Sequence, residues 1–313
     1  MPGREVRVGF VGCGRHATGV LLPGVREAGM DLAAVCDLDR RRAQRTVRRF
    51  GAFRAYQDLR KMIDEMDLDA VLVCGPPEMH AEAAALALER GCHVWTEVPP
   101  APTAGEAEHI AQLADARGLI AQPGLMMRFA PAYERLKETI GAEDFGPPTS
   151  LEITWWPPRL PGHDEPLLFD AVHALDLARM LLGEIEEGRA LATEGTASMA
   201  LRFASGALGS ISFAAGGGRT REVVAVAADG ALAVVQDRRE VAVSRADREE
   251  TTLWRAASSQ AGSGAELGFV AGLRHFARSV LGEIEPRATM ADAAAAMTLI
   301  EALTQRGEVS HMG

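Results

Sequence analysis

The sequence predicts an α/β protein of two domains. Residues 1–124 read as a doubly wound parallel sheet, and residues 125–313 as an α+β domain with an open, mostly antiparallel sheet, the last helix being free to pack back on the first domain. Three observations carry this. From Val6 to Gln122 short apolar runs alternate with helix-length stretches, the pattern of parallel strands joined by crossover helices. From Ala197 to Ser244 strand-like runs follow one another with only Gly or charged turns between them, which points to antiparallel pairing. At 313 residues and 47% apolar content, the chain can build a core for each domain.

Taken in order, the first-domain strands are Val6–Val11, Leu32–Cys36, Ala70–Val73, Val94–Thr96 and Leu119–Gln122. Helices fall near Ala17–Ala28, Arg40–Phe50, Met79–Arg90 and Ala104–Ala116, the last two with apolar residues three and four apart. They supply the cover that a parallel sheet needs on both faces. Beyond Gly124 come a helix at Ala130–Ile140, a turn at Gly146-Pro147-Pro148 and a strand Ser150–Trp156, whose paired tryptophans point to opposite faces. Pro157–Pro166 reads as a loop and Leu167–Leu182 as a helix stopped by Gly183. The antiparallel strands are Ala197–Phe203, Ala207–Ala214, Val223–Ala228, Ala231–Gln236 and Val241–Ser244. Helices Glu266–Leu281 and Met290–Gln305 follow.

Acidic residues outnumber basic ones, 43 to 33, for a formal charge of −10. That balance repels phosphate backbones and anionic membranes and argues against a nucleic-acid partner. No apolar run approaches the roughly 20 residues of a membrane helix, and no signal-peptide core follows Met1, so a soluble cytoplasmic protein is expected. Cys13, Cys36, Cys74 and Cys92 stand singly in apolar surroundings, without the spacing of a zinc site, and read as reduced, buried thiols. No metal is expected.

The chemistry starts at Gly12-Cys13-Gly14-Arg15-His16-Ala17, a G-x-G-x-x-A run directly after a strand and at a helix start. In that context Gly12 permits a tight turn, Gly14 lets a pyrophosphate approach the backbone, and Ala17 lets helix and strand pack closely. Free helix-terminal N–H groups face the phosphates. Asp37 ends the second strand 20 residues beyond Ala17, where a carboxylate accepts hydrogen bonds from a ribose diol. The segment reads as a Rossmann domain that binds NAD or NADP. Asp37 favours NAD by repelling a 2′-phosphate, while Arg40 and Arg41 can offset that repulsion, stack on adenine or simply form a solvated helix face.

With these residues in place, the chain resembles the Gfo/Idh/MocA oxidoreductase family. The likeness also rests on Val73–Glu82 (VCGPPEMHAE), Gly91–Pro99 (GCHVWTEVP), Gly124–Pro131 (GLMMRFAP) and the run from His173 through Asp176 to Gly183. The resemblance implies a Rossmann domain followed by an open α/β domain whose sheet makes oligomer contacts, and hence a homodimer or homotetramer. It implies that Gly75, Pro76, Pro77 and His80 lie beside the cofactor and that Glu97, Val98, Pro99 and Arg128 complete its site. For His80 a supporting role at its helix start stays open.

The chain departs from that family where relatives acting on alcohols and ketones carry Glu-Lys-Pro, reading Glu97-Val98-Pro99. Its only lysines, Lys61 and Lys137, fall on helices away from that strand end. A histidine suits the remaining proton transfer, so His173 becomes the candidate acid/base, with Asp170 or Asp176 orienting it. Tyr133 is a second candidate donor. Both His173 and Tyr133 have ordinary packing roles as alternatives. Met126 replaces an expected asparagine and makes the pocket more apolar. Arg159, His163, Asp164, Glu165 and the turn Gly216–Arg221 are positioned to shape specificity or to be solvated loops. The expected activity is hydride transfer to or from a carbonyl, alcohol or imine on a small or sugar-like molecule. Its alternatives are a redox-neutral enzyme that holds NAD tightly and a non-catalytic dinucleotide-binding regulator.

Overall fold

The computed structural model describes residues 4–156, 168–193, 196–214, 221–247, 251–256 and 267–306. Its contacts divide the chain into two units, Met1–Met126 with Gly262–Met297, and Met127–Ala261 with Thr298–Gly313.

In the first unit β1 (Val6–Val11), β2 (Met30–Cys36), β3 (Arg54–Tyr56), β4 (Ala70–Val73), β5 (His93–Thr96) and β6 (Ala121–Pro123) form one sheet. Every pairing is parallel, in the order β3-β2-β1-β4-β5-β6, which is the doubly wound Rossmann order. All four residues of β4 are buried, as a strand covered on both faces requires. The helix predicted from Ala17 opens with a π-helical turn, Ala17–Leu21, before α1 (Leu22–Glu27). α2 (Arg40–Phe50) is capped by Asp39, whose carboxylate accepts the N–H groups of Arg41 and Arg42. α3 (Leu59–Glu65), α4 (Pro77–Glu89) and α5 (Ala104–Arg117) follow, α5 opening on a Thr103/Glu106 capping box. A later helix, Phe269–Val280, packs against α1.

The second unit holds an eight-stranded sheet. Its strands are β7 (Pro148–Trp156), β8 (Ile185–Thr193), β9 (Thr196–Phe203), β10 (Leu208–Ala214), β11 (Arg221–Ala228), β12 (Ala231–Gln236), β13 (Glu240–Arg245) and β14 (Thr252–Arg255). The order is β14-β13-β12-β11-β7-β10-β9-β8, antiparallel throughout except between β7 and β10. Strict alternation of burial along β9 shows one covered face and one open face. Helix α6 (Pro131–Ile140) covers β12 and β13, and α7 (Leu168–Leu182) covers β7. The open face carries exposed Leu191, Leu208, Leu232 and Leu253.

Four elements were not anticipated: β3, α3, β8 and β14. Among the described residues, no helix is long and apolar enough to cross a membrane.

Candidate functional site

The order of the first sheet reverses at β1/β4, and a crevice of about 700 Å³ opens at the carboxyl ends of these strands. Gly12, Gly14, Asp37, Arg42, Gly75 and Pro76 are among its walls. Gly12 has φ 86° and donates its N–H to Cys36 O at 2.9 Å. A Cβ there would lie 2.0 Å from the carbonyl oxygen of Cys74, so only glycine lets β1 turn this close to the end of β4. At Gly14 an added Cβ would meet nothing within 4 Å. Packing does not explain that glycine, and the open space over it is what an approaching pyrophosphate requires. The Gly14 carbonyl accepts the Thr18 N–H at 3.0 Å, so the helix starts here and its first amides have no acceptor within the helix.

Asp37 is buried, and its oxygens are already held. Oδ2 accepts the Cys13 N–H at 2.8 Å and Oδ1 that of Asp39 at 2.9 Å, while an Arg42 guanidinium nitrogen stands 3.6 Å from Oδ2. Each carboxylate oxygen keeps a lone pair for a ribose hydroxyl. Arg42, rather than Arg41, lines the crevice; the Arg41 backbone N–H caps onto Asp39 and the residue is exposed. The Cys13, Cys36 and Cys74 thiols cluster around this turn, and burial pushes them up to about 11, 12 and 12, so they are protonated at neutral pH.

Residues 97–99 form a second layer. His16 Nε2 lies 3.1 Å from Glu97 Oε1, and that hydrogen bond raises the imidazole pKa above its ordinary value. The His16 ring also meets Phe269 edge-on at 5.7 Å. His80 is fully buried: its Nε2 accepts the Gly75 N–H at 2.9 Å, and its Nδ1–H donates to Pro99 O at 2.7 Å. Burial lowers its pKa, which agrees with a neutral ring bonded on both sides. His80 therefore clips the turn after β4 to the segment after β5, and Pro77 opens α4 beside it. Glu97, Val98 and Pro99 are all buried. Of the motif residues, Cys13, Gly14 and Arg15 also line a second recess of about 480 Å³.

In the second unit, Arg128 holds Asp176 in a fork, Nε to Oδ2 at 2.9 Å and Nη2 to Oδ1 at 2.6 Å, with both side chains largely buried. Arg128, expected at the cofactor, thus fixes a carboxylate on α7. His173 sits one turn before Asp176 and is also buried. The side chain of Asp170 lies outside the described residues, as do Arg159, His163, Asp164, Glu165 and the glycines of residues 216–218. Tyr133 is completely buried on α6, and its hydroxyl has no hydrogen-bond partner among the described residues.

One cluster escaped the sequence reading. Glu222 and Trp155 are cross-strand partners on β11 and β7, and Arg238 donates to Glu222 Oε2 through Nε at 2.7 Å and Nη2 at 2.6 Å. The same guanidinium lies 4.8 Å over the Trp155 ring. Asp237 and Arg238 take φ 50° and 59° at the β12–β13 turn, the left-handed pair that a type I′ hairpin turn requires, closed by the Arg239 N–H to Gln236 O at 3.0 Å. Desolvation pushes the Glu222 carboxyl up against the pull of Arg238. Of the two tryptophans, Trp155 is the buried one.

Residues 6–125 match the family model GFO_IDH_MocA, described as an oxidoreductase family with an NAD-binding Rossmann fold. The chain is 35% identical over 193 residues to inositol 2-dehydrogenase 4 of Saccharopolyspora erythraea. That match spans 59% of this chain and 56% of the relative's length. A dehydrogenase structure from Chromobacterium violaceum superposes with TM-score 0.88 over 97% of this chain and 95% of its own, at 22% identity. Levoglucosan dehydrogenase in complex with NADH superposes with TM-score 0.87 over 96% of each chain, at 21% identity. At these identities the structural likeness speaks for the fold.

Proposed function

We propose, on the premise that this chain belongs to the Gfo/Idh/MocA oxidoreductase family, that it is a nicotinamide-dependent dehydrogenase acting on a hydroxyl or carbonyl carbon of a small polyol or sugar-like molecule. The observation that carries the reading is the strand-end crevice, where Gly14 leaves an open approach to helix-terminal amides and Asp37 stands held by two backbone amides at the end of β2. The likeness to an inositol dehydrogenase supports the substrate class.

The residues present fit the cofactor, because the crevice joins phosphate-facing amides to a fixed carboxylate. When bound, the nicotinamide accepts or donates the hydride. The chain's own task is to place the substrate and manage one proton. The amides of residues 14–16, whose neighbours at Gly12 and Cys13 are already spent on Cys36 O and Asp37, would bind the pyrophosphate, Asp37 would accept from the ribose, and His80 with Glu97 keeps the turn after β4 aligned with the segment after β5. With valine at position 98, His173 on α7 takes or returns the substrate's proton. The Arg128–Asp176 fork positions that helix. The open face of the second sheet, with its exposed leucines, pairs copies of the chain into a homodimer or homotetramer.

The test is reduction of NAD or NADP, followed by absorbance, with a panel of inositols, glucosides and aldonic acids and, in reverse, their ketones and imines. Turnover lost in His173→Ala with cofactor binding retained is the expected result. Binding without turnover across the whole panel leaves a dinucleotide-binding regulator. Cofactor that survives dialysis and supports a redox-neutral reaction would instead indicate the transient-oxidation alternative.

A further inference from the structure

Helix α2 reads RRRAQRTVRRF, and Arg42, Arg45, Thr46 and Arg49 fall on one of its faces at the i, i+3, i+4, i+7 spacing. That face lines the 480 Å³ recess together with Arg15 and Thr18 of the glycine-rich turn. Gly14 and Arg42 line both this recess and the dinucleotide crevice, so the two spaces adjoin at the ribose end.

Four guanidiniums surround the recess, and its walls hold no carboxylate. The nearby acids are occupied. Asp39 spends a carboxylate oxygen on the Arg41 and Arg42 amides, and Asp37 on those of Cys13 and Asp39. Arg42 has Asp37 at 3.6 Å, whereas Arg15, Arg45 and Arg49 have no ion pair among the described residues. Arg49 lies 4.9 Å over Phe50, a contact that leaves its fork available. Thr18 and Thr46 donate their hydroxyls to the carbonyls of Gly14 and Arg42, so the guanidiniums are the donors left to meet a ligand. Like charges at i+3 and i+4 destabilise a helix, and in a chain of net charge −10 this concentration of cations calls for an anion.

We propose that this recess binds a phosphate monoester, which the guanidinium forks recognise through charge-assisted hydrogen bonds. Two sources share that chemistry: the 2′-phosphate of NADP, reaching from the adjoining crevice, or a free phosphorylated molecule. The first source rests on the dinucleotide reading above and reverses the preference for NAD drawn from Asp37. The repulsion by Asp37 is reduced because its charge is shared with two backbone amides and Arg42.

The experiment is calorimetric titration of the full chain, in a phosphate-free low-salt buffer, with NADH, NADPH and inorganic phosphate. It is repeated on Arg45→Ala/Arg49→Ala and on the charge-keeping Arg45→Lys. Arg45 and Arg49 are both exposed, and thermal unfolding of each variant confirms that it folds. A NADPH affinity reduced on the order of tenfold in the double variant, with NADH unchanged and Arg45→Lys near the parent, establishes the 2′-phosphate. NADH and NADPH responding alike, with phosphate binding the parent beside NADH and lost in the double variant, establishes the free-ester source. No change in NADPH binding and no phosphate binding to the parent overturns the proposal. Should NADH fail to bind folded parent protein, the dinucleotide reading falls separately and the phosphate titration alone decides the recess.

Discussion

Replacing Gly14 by alanine separates cofactor binding from folding. The backbone at Gly14 lies outside the left-handed region, and the added Cβ meets nothing within 4 Å, so the fold accepts it. Gly→Ala at such a compatible position changes stability by only about 0.4–1 kcal/mol, in the favourable direction. The methyl does, however, occupy the space through which, in the proposed function, the pyrophosphate reaches the helix-terminal amides. Losing one charge-assisted hydrogen bond costs about 1.5–3 kcal/mol, which is roughly a 10- to 150-fold rise in the NADH dissociation constant. Gly12→Ala is the contrasting control: its Cβ would fall 2.0 Å from Cys74 O on a backbone with φ 86°. Left-handed alanine alone costs about 1–2 kcal/mol, and the clash adds to it by pushing the ends of β1 and β4 apart. Calorimetric titration with NADH and thermal unfolding of both variants read the two effects. A Gly14→Ala protein that binds NADH as tightly as the parent refutes the placement of the pyrophosphate over residue 14.

Other outcomes follow from the same geometry. His173→Ala lowers kcat by about 10²- to 10⁴-fold with little change in KM, the mark of a lost proton transfer, and steady-state kinetics on any polyol that is turned over check this. Arg238→Ala strands the buried Glu222 carboxylate and costs about 3–5 kcal/mol in denaturant unfolding, while Arg238→Met with Glu222→Leu restores most of it. Burial lowers the folded-state pKa of His80 below the ordinary 6.5, so the unfolded chain binds more protons between those values. That contribution to stability is complete above 6.5 and is lost as pH falls through the folded-state pKa; melting temperatures from pH 5 to 8 show the slope, and His80→Gln flattens it. His16 has the opposite sign, its pKa raised by Glu97. Its positive charge beside the phosphates persists above pH 6.5 and disappears as pH rises through the raised value, so NADH affinity falls over that range in the parent and not in His16→Gln.

The first sheet was legible because its inner strands are short, largely apolar runs bounded by turns, broken in β1 only by Arg7. Val6–Val11 and Ala70–Val73 occur where the pattern places them. β3 has only three residues, and the edge strand β8, IEEGRALAT, is largely exposed with a single isoleucine as its β-branched aliphatic. An edge strand can carry that composition because only one neighbour and little core constrain it. At the site, Gly12, Gly14 and Asp37 were readable from motif and spacing. The bonds of His80 to Gly75 and Pro99, the Arg128–Asp176 fork and the Glu222–Arg238 pair were not, since each joins residues that only the tertiary fold brings together. The arginine face of α2 at residues 42, 45 and 49 was not singled out from the sequence, because residues 40, 41 and 48 are arginine too. Its meaning depended on Arg15 arriving opposite.

The proposed chemistry requires a nicotinamide dinucleotide in the crevice at the ends of β1, β2 and β4. Titrating NADH into the folded wild-type chain should give saturable heat with one site per chain, accompanied by a rise in nicotinamide fluorescence. An absence of both signals from protein whose melting curve shows it folded would contradict dinucleotide binding at this crevice.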